Sequence, residues 1–183
     1  MYEAYFREQL ELRFRSHGRP RRRHYPSYRS LLLARTPTEK ASHFLASDSD
    51  FAFVKNLAGS GRLVPVVGDL AGPHALRKLG AWAKSRGETV TTFYASNVEF
   101  YLLREGRFDS YVENLRSLPL GDNSLFIRSY FDYGLPHPER QRGHRGTVLL
   151  QSIPRFLELY DAGALESYWD VCTVDYLRAP PLP

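Results

Sequence analysis

Residues 63–102 read LVPVVGDLAGPHALRKLGAWAKSRGETVTTFYASNVEFYL, and the order of patterns in this stretch decides the fold class. Leu63–Val67 is a short continuous apolar run, the pattern of a strand buried on both faces, although Pro65 forfeits one ladder donor and argues for a first-residue, edge or bulged position. Pro73 suits the first position of a helix, Leu76, Leu79, Trp82 and Ala83 recur at helical spacing, and Gly87 closes the element. Thr89–Ala95 is β-branched and aromatic, a second strand. Ser96 with Glu99 three positions later has the form of a capping box opening another helix.

The same alternation continues outward. Phe108, Tyr111, Val112, Leu115 and Leu118 form a helical face, and Ser124–Tyr130 and Thr147–Ser152 read as strands separated by a loop rich in Pro, Gly, Arg and His. Pro154 begins a helix, and Ala164 to Leu177 is expected to hold the last one. Upstream, Ser47 caps a helix over Phe51, Val54 and Leu57, and Tyr2, Phe6 and Leu10 form a stripe in an opening helix. Strands alternating with helices imply a parallel α/β sheet with right-handed crossovers, and the last two strands an antiparallel hairpin. Four strands amount to half of a doubly wound domain.

Composition sets the outer limits. The chain has 183 residues, 43% hydrophobic and 25% charged, and reads as one globular domain rather than a disordered one. No apolar run approaches a membrane span, and the N-terminus lacks a signal peptide, so a cytoplasmic protein without membrane contact is expected. Cys172 is the sole cysteine, which excludes an internal disulfide, and the six histidines show no HxH or HxxxH pairing, so no metal site is expected. Charge is unevenly spread. Eight arginines and no acid lie between Leu12 and Thr38, leaving 17 basic against 20 acidic groups elsewhere. Arg19–Arg29 interleaves cations with Tyr25, Tyr28 and His24, a composition suited to phosphates and stacked bases, so the second reading is a non-catalytic binding protein whose Arg-rich segment contacts nucleic acid or an acidic partner, although such a stretch is also a common solvated arm.

Ligands of open α/β sheets collect at the carboxyl ends of strands. Two such ends are legible: Gly68, Asp69, Leu70 and Ala71 after the first strand, and Tyr94, Ser96, Asn97 and Glu99 after the second. Asp69 and Asn97 are the candidates for catalysis, and Gly68, Leu70, Ala71, Tyr94, Ser96 and Glu99 for binding substrate or cofactor. The ordinary alternative makes Asp69 a turn residue and Ser96 and Glu99 a cap. No GxGxxG, GxxxxGK[ST] or GxSxG is present, so neither a dinucleotide fingerprint, a P-loop nor a nucleophile elbow is read.

HFLASDSDFAFVKNLAGSGRLVPVVGDLAGPHALRKLG, TVTTFYASNVEFYL and LPLGDNSLFIRSYF, within residues 43–131, resemble the C-terminal half of an uncharacterised bacterial family. That family is similar in fold to class I S-adenosylmethionine-dependent methyltransferases, and the close resemblance covers about half of the chain. It implies a partial Rossmann-like, methyltransferase-type three-layer sheet over residues 43–178, preceded by a helix and Arg-rich linker (1–42) and followed by a disordered Pro-rich tail (179–183). Leu63–Val67 would be the fourth strand and Thr89–Ala95 the fifth, with Asp69 bordering donor and acceptor. The implied cofactor is S-adenosylmethionine. Segments for the glycine-rich donor turn and the ribose-binding acid are lacking, and the opening on an uncapped helix reads as a fragment or a split partner. A half-sheet would also expose an apolar edge, inviting a homodimer or the missing half.

Overall fold

The computed structural model describes residue 11 and residues 26–36, 38–41, 43–131, 134–141 and 146–178. The expected opening helix and the Pro-rich tail lie outside the described residues. The chain divides into two compact units, Met1–Pro65 and Val66–Pro183.

In the first unit, α1 spans Tyr28–Leu32 and α2 spans Asp48–Gly59. The Ser47 cap is as expected: its Oγ accepts from Asp50 N at 3.1 Å. Gly61, with φ of +68°, lies just past the end of α2, where a left-handed residue satisfies the last carbonyls. No residue of α2 is buried, and Phe51 and Phe53 on it are exposed.

The second unit runs α3 (Ala75–Ser85), β1 (Val90–Ser96), α4 (Val98–Arg104), α5 (Phe108–Arg116), β2 (Leu120–Phe131), β3 (Gly146–Ser152), α6 (Ile153–Asp161) and α7 (Tyr168–Thr173). The result is a mixed α/β unit with an open three-stranded sheet in the order β1-β2-β3. β1 and β2 are parallel, and β2 and β3 form the expected antiparallel hairpin. A register shift between Val90 and Thr92 is stitched by Ser124, whose Oγ accepts from Gly121 N at 2.9 Å and donates to Val90 O at 2.6 Å.

Three expectations are corrected. Leu63–Val67 is not a strand. It has no ladder, and its leucine and valines are exposed, Val67 fully. The run passes the apolar test for a strand, but Pro65 at its centre removes a ladder donor. Second, the last helix is six residues rather than fourteen, because a capping box of Ser167 and Asp170 starts it late. Third, Ser96 and Glu99 form no capping box. The N-cap of α4 is Asn97, without a side-chain cap bond, and Ser96 takes φ of +52°.

A three-layer arrangement is also not what the described residues form. Strand alternation puts Phe93, Phe126, Arg128 and Tyr130 on one face, and this face meets the helices. Phe93 packs edge-on against Tyr111 of α5 (6.3 Å), Phe126 against Phe156 of α6 (5.2 Å), and Tyr130 stacks on Tyr168 of α7 (5.9 Å). The opposite face carries Tyr94 and Val148, which are 64% and 67% exposed. The core therefore lies on one side of the sheet. α3 packs on α5, and Gly80 permits the close approach: a Cβ there would stand 2.5 Å from Ser117 O.

Candidate functional site

The turn between Gly68 and Gly72 is built from its own residues and held from α5. Asp69 Oδ1 accepts from Ala71 N at 3.0 Å, and Gly72 N donates to Asp69 O at 3.1 Å. The second carboxylate oxygen takes a hydrogen bond from Arg107 Nη2 at the start of α5. Asn114, buried in α5, closes the arrangement. Its Nδ2 donates to Leu70 O at 2.8 Å and Gly72 O at 2.7 Å, while its Oδ1 accepts from Arg77 Nε at 2.7 Å. Gly68 approaches α3 so closely that a Cβ would overlap the Ala75 Cβ.

A groove of about 440 Å³ opens in front of this turn, lined by Val66, Val67, Asp69, Pro73, His74, Lys78 and neighbours. The Arg107 hydrogen bond, with help from the Ala71 N–H, holds the Asp69 carboxyl below its ordinary pKa. Asp69 is thus a fixed, ionised acceptor rather than a proton-poised group.

The residues after β1 take different places. Tyr94 is exposed on the face away from the helices, and Ser96 Oγ lies 3.5 Å from Asn97 Oδ1. Among the described residues the Asp69 carboxylate is bonded to Ala71 N and Arg107 rather than to Ser96 or Glu99. Glu99 points inward, with no solvent exposure. It holds Arg128 of β2 through two bonds, Nε to Oε2 at 2.6 Å and Nη2 to Oε1 at 2.9 Å. Arg128 also donates to Gln151 Oε1, Gln151 Nε2 donates to Val174 O at 2.7 Å, and the Tyr111 hydroxyl reaches Glu99 Oε1 at 3.5 Å. The guanidinium lies 3.9 Å from the Phe126 ring centroid. Glu99 is therefore a core residue in a satisfied ionic network, not a ligand-facing one.

Reading the sequence misses Arg107, Asn114, Arg128 and Gln151. A signal for Arg128 does exist. In SLFIRSY, strand alternation puts it on the same face as Phe126 and Tyr130, and a cation on a core face demands a buried acceptor. Cys172 behaves as the small core residue expected of it: burial pushes its thiol up to about 12. Among the described residues no cluster of His, Cys, Asp and Glu could hold a metal ion, and no helix is long and apolar enough to cross a membrane. The basic stretch from Arg19 lies almost wholly outside the described residues. At its end Arg29 donates to Glu11 at 2.9 Å.

A family model described as a domain of unknown function (DUF7790) matches residues 4–168. The chain belongs to this family. No curated protein matches it, and no methyltransferase family is among the matches. The DUF7790 domain thus takes in both the Arg-rich segment and the sheet, and stops within α7.

The Asn114 bridge makes a sharp expectation for the DUF7790 turn. Asn114→Asp removes both Nδ2 donors and sets carboxylate oxygens against the carbonyls of Leu70 and Gly72. The expected cost is about 2–3 kcal/mol, from two lost hydrogen bonds and unpaired buried carbonyls. A urea midpoint would measure it, and faster hydrogen exchange at the Ala71 and Gly72 amides would locate it.

Proposed function

We propose that this DUF7790 chain is a non-catalytic binding module whose ligand-facing surface is the groove in front of the Asp69 turn. The observation that carries the reading is the fate of its carboxylates. Asp69 is paired with Arg107 and Glu99 with Arg128, the latter out of contact with solvent. A general base needs a pKa near the working pH, and Asp69 is shifted the other way.

The finer alternative is the methyltransferase-like one, in which Asp69 or Asn97 orients an acceptor. Methyl transfer is dominated by positioning and needs no base, so a paired Asp69 is compatible with it. The donor is the harder test. S-adenosylmethionine carries ribose hydroxyls and an amino group that need acceptors, and the two carboxylates near these loops are engaged by arginines. The groove is also lined by the cationic Lys78, which would be a poor neighbour for a sulfonium. The described residues do not fit this donor.

Thermal melting of the chain with S-adenosylmethionine tests the choice. The binding-module reading expects an unchanged Tm up to millimolar donor. A donor at about 100 times its Kd would add roughly 2.7 kcal/mol, a rise of about 5–10 °C for a domain of this size. Such a rise would overturn the reading and restore the methyltransferase-like one.

A further inference from the structure

α3 carries an exposed apolar stripe. Leu76, Gly80 and Ala83 turn inward and are buried, whereas Ala75, Leu79, Trp82 and Arg86 recur at helical spacing on an outward face. Trp82 is 58% exposed, and the Arg86 guanidinium lies 5.2 Å from its ring centroid. α3 contains no acid, and Lys78 borders the stripe. Lys78 and Leu79 also line the groove of the Asp69 turn, so the stripe continues that wall. An exposed tryptophan beside an arginine on an apolar surface has the composition of an interface anchor.

α2 carries a complementary stripe. Asp50, Phe53, Val54 and Leu57 recur at the same spacing, no residue of this helix is buried, and Phe53 is 63% exposed. Asp50, Phe53 and Val54 form one wall of a groove of about 310 Å³, and Lys40, His43 and Phe44 also line it. Its apolar walls suit an indole. Asp48 and Asp50, in the first turn of α2, suit the cations that flank Trp82. Every copy of the chain holds both stripes, so two copies related by a two-fold axis can make the contact twice.

We infer that the outward face of α3 docks α2 of a second copy of this chain. Trp82 of one copy enters the α2 groove of the other, and Arg86 meets Asp50. The inference rests on the binding-module reading and names the partner of that surface.

Sedimentation velocity of the full chain, from micromolar to submillimolar concentration, tests it. A reversible monomer–dimer equilibrium is expected. Phe53→Glu and Trp82→Glu replace exposed side chains, so each should keep the native Tm. Each should also weaken association at least about a hundredfold, because both contacts of the pair lose an aromatic anchor. An equimolar mixture of the two variants should dimerise at concentrations where each alone is monomeric. There the intact α2 of Trp82→Glu meets the intact α3 of Phe53→Glu. A native chain that stays monomeric, a dimer indifferent to both substitutions, or a mixture no heavier than its components would each overturn the inference. The last is also the result expected of docking within one chain. If the chain stays monomeric while S-adenosylmethionine leaves its Tm unchanged, the binding-module reading stands and only this partner falls.

Discussion

Arg128→Met is expected to cost about 3–5 kcal/mol, roughly a fifth or more of the stability of an ordinary domain. Glu99 has no solvent exposure, and two of its hydrogen bonds come from this guanidinium. With the guanidinium gone, a carboxylate would remain in the core with the distant Tyr111 hydroxyl as its described partner. Gln151 would lose its bond from Arg128 at the same time. The pair itself adds little, because desolvating two charges offsets most of their attraction. The double variant Glu99→Met with Arg128→Met should therefore regain most of the loss, short of what Gln151 forfeits. Urea midpoints of the two variants decide the matter. If Arg128→Met alone lowers the stability derived from the midpoint by less than about 1 kcal/mol, the network is not closed to water.

Phe126→Ala is expected to be of the same size, about 3–5 kcal/mol, for a different reason. Phe126 is fully buried and meets Phe93 at 5.8 Å and Phe156 at 5.2 Å, both edge to face. It joins β1, β2 and α6 at one point, so truncation leaves a cavity that three elements would have to close together. The ring also lies against the Arg128 guanidinium, so its loss admits water to the ionic network. Truncating both residues should consequently cost less than the two separate losses combined, the mark of residues sharing one environment. Phe126→Leu keeps most of the volume and should cost about 1–2 kcal/mol. Strict additivity in the double variant would show that ring and guanidinium are independent.

The candidate site was legible in part. The Gly68–Gly72 turn could be found because Gly and Asp mark a turn, and Asp69 does fold onto its own backbone there. What fixes that turn was not legible. Arg107 is 38 positions away from Asp69, and Asn114 is 42 positions from Gly72. Glu99 shows the same limit of local rules. Its spacing from Ser96 satisfies a local capping rule, but a buried arginine 29 positions on is the stronger partner.

Elements with local causes can be read along the chain. Ser47 and Pro154 begin helices, Gly87 ends one at φ of +67°, and the β-branched and aromatic runs become β1, β2 and β3. The tertiary structure alone decided which apolar segments were covered and which polar groups were used up. Leu63–Val67 is as apolar as a buried strand, yet it finds no ladder, because strand formation depends on a neighbour's donors and acceptors and not on the segment's own hydropathy. Asp69 and Glu99 both read as groups free for chemistry. One is held by Arg107 and the other by Arg128, and in each case pairing a carboxylate with a guanidinium far along the chain outweighs the local role that its neighbours suggest.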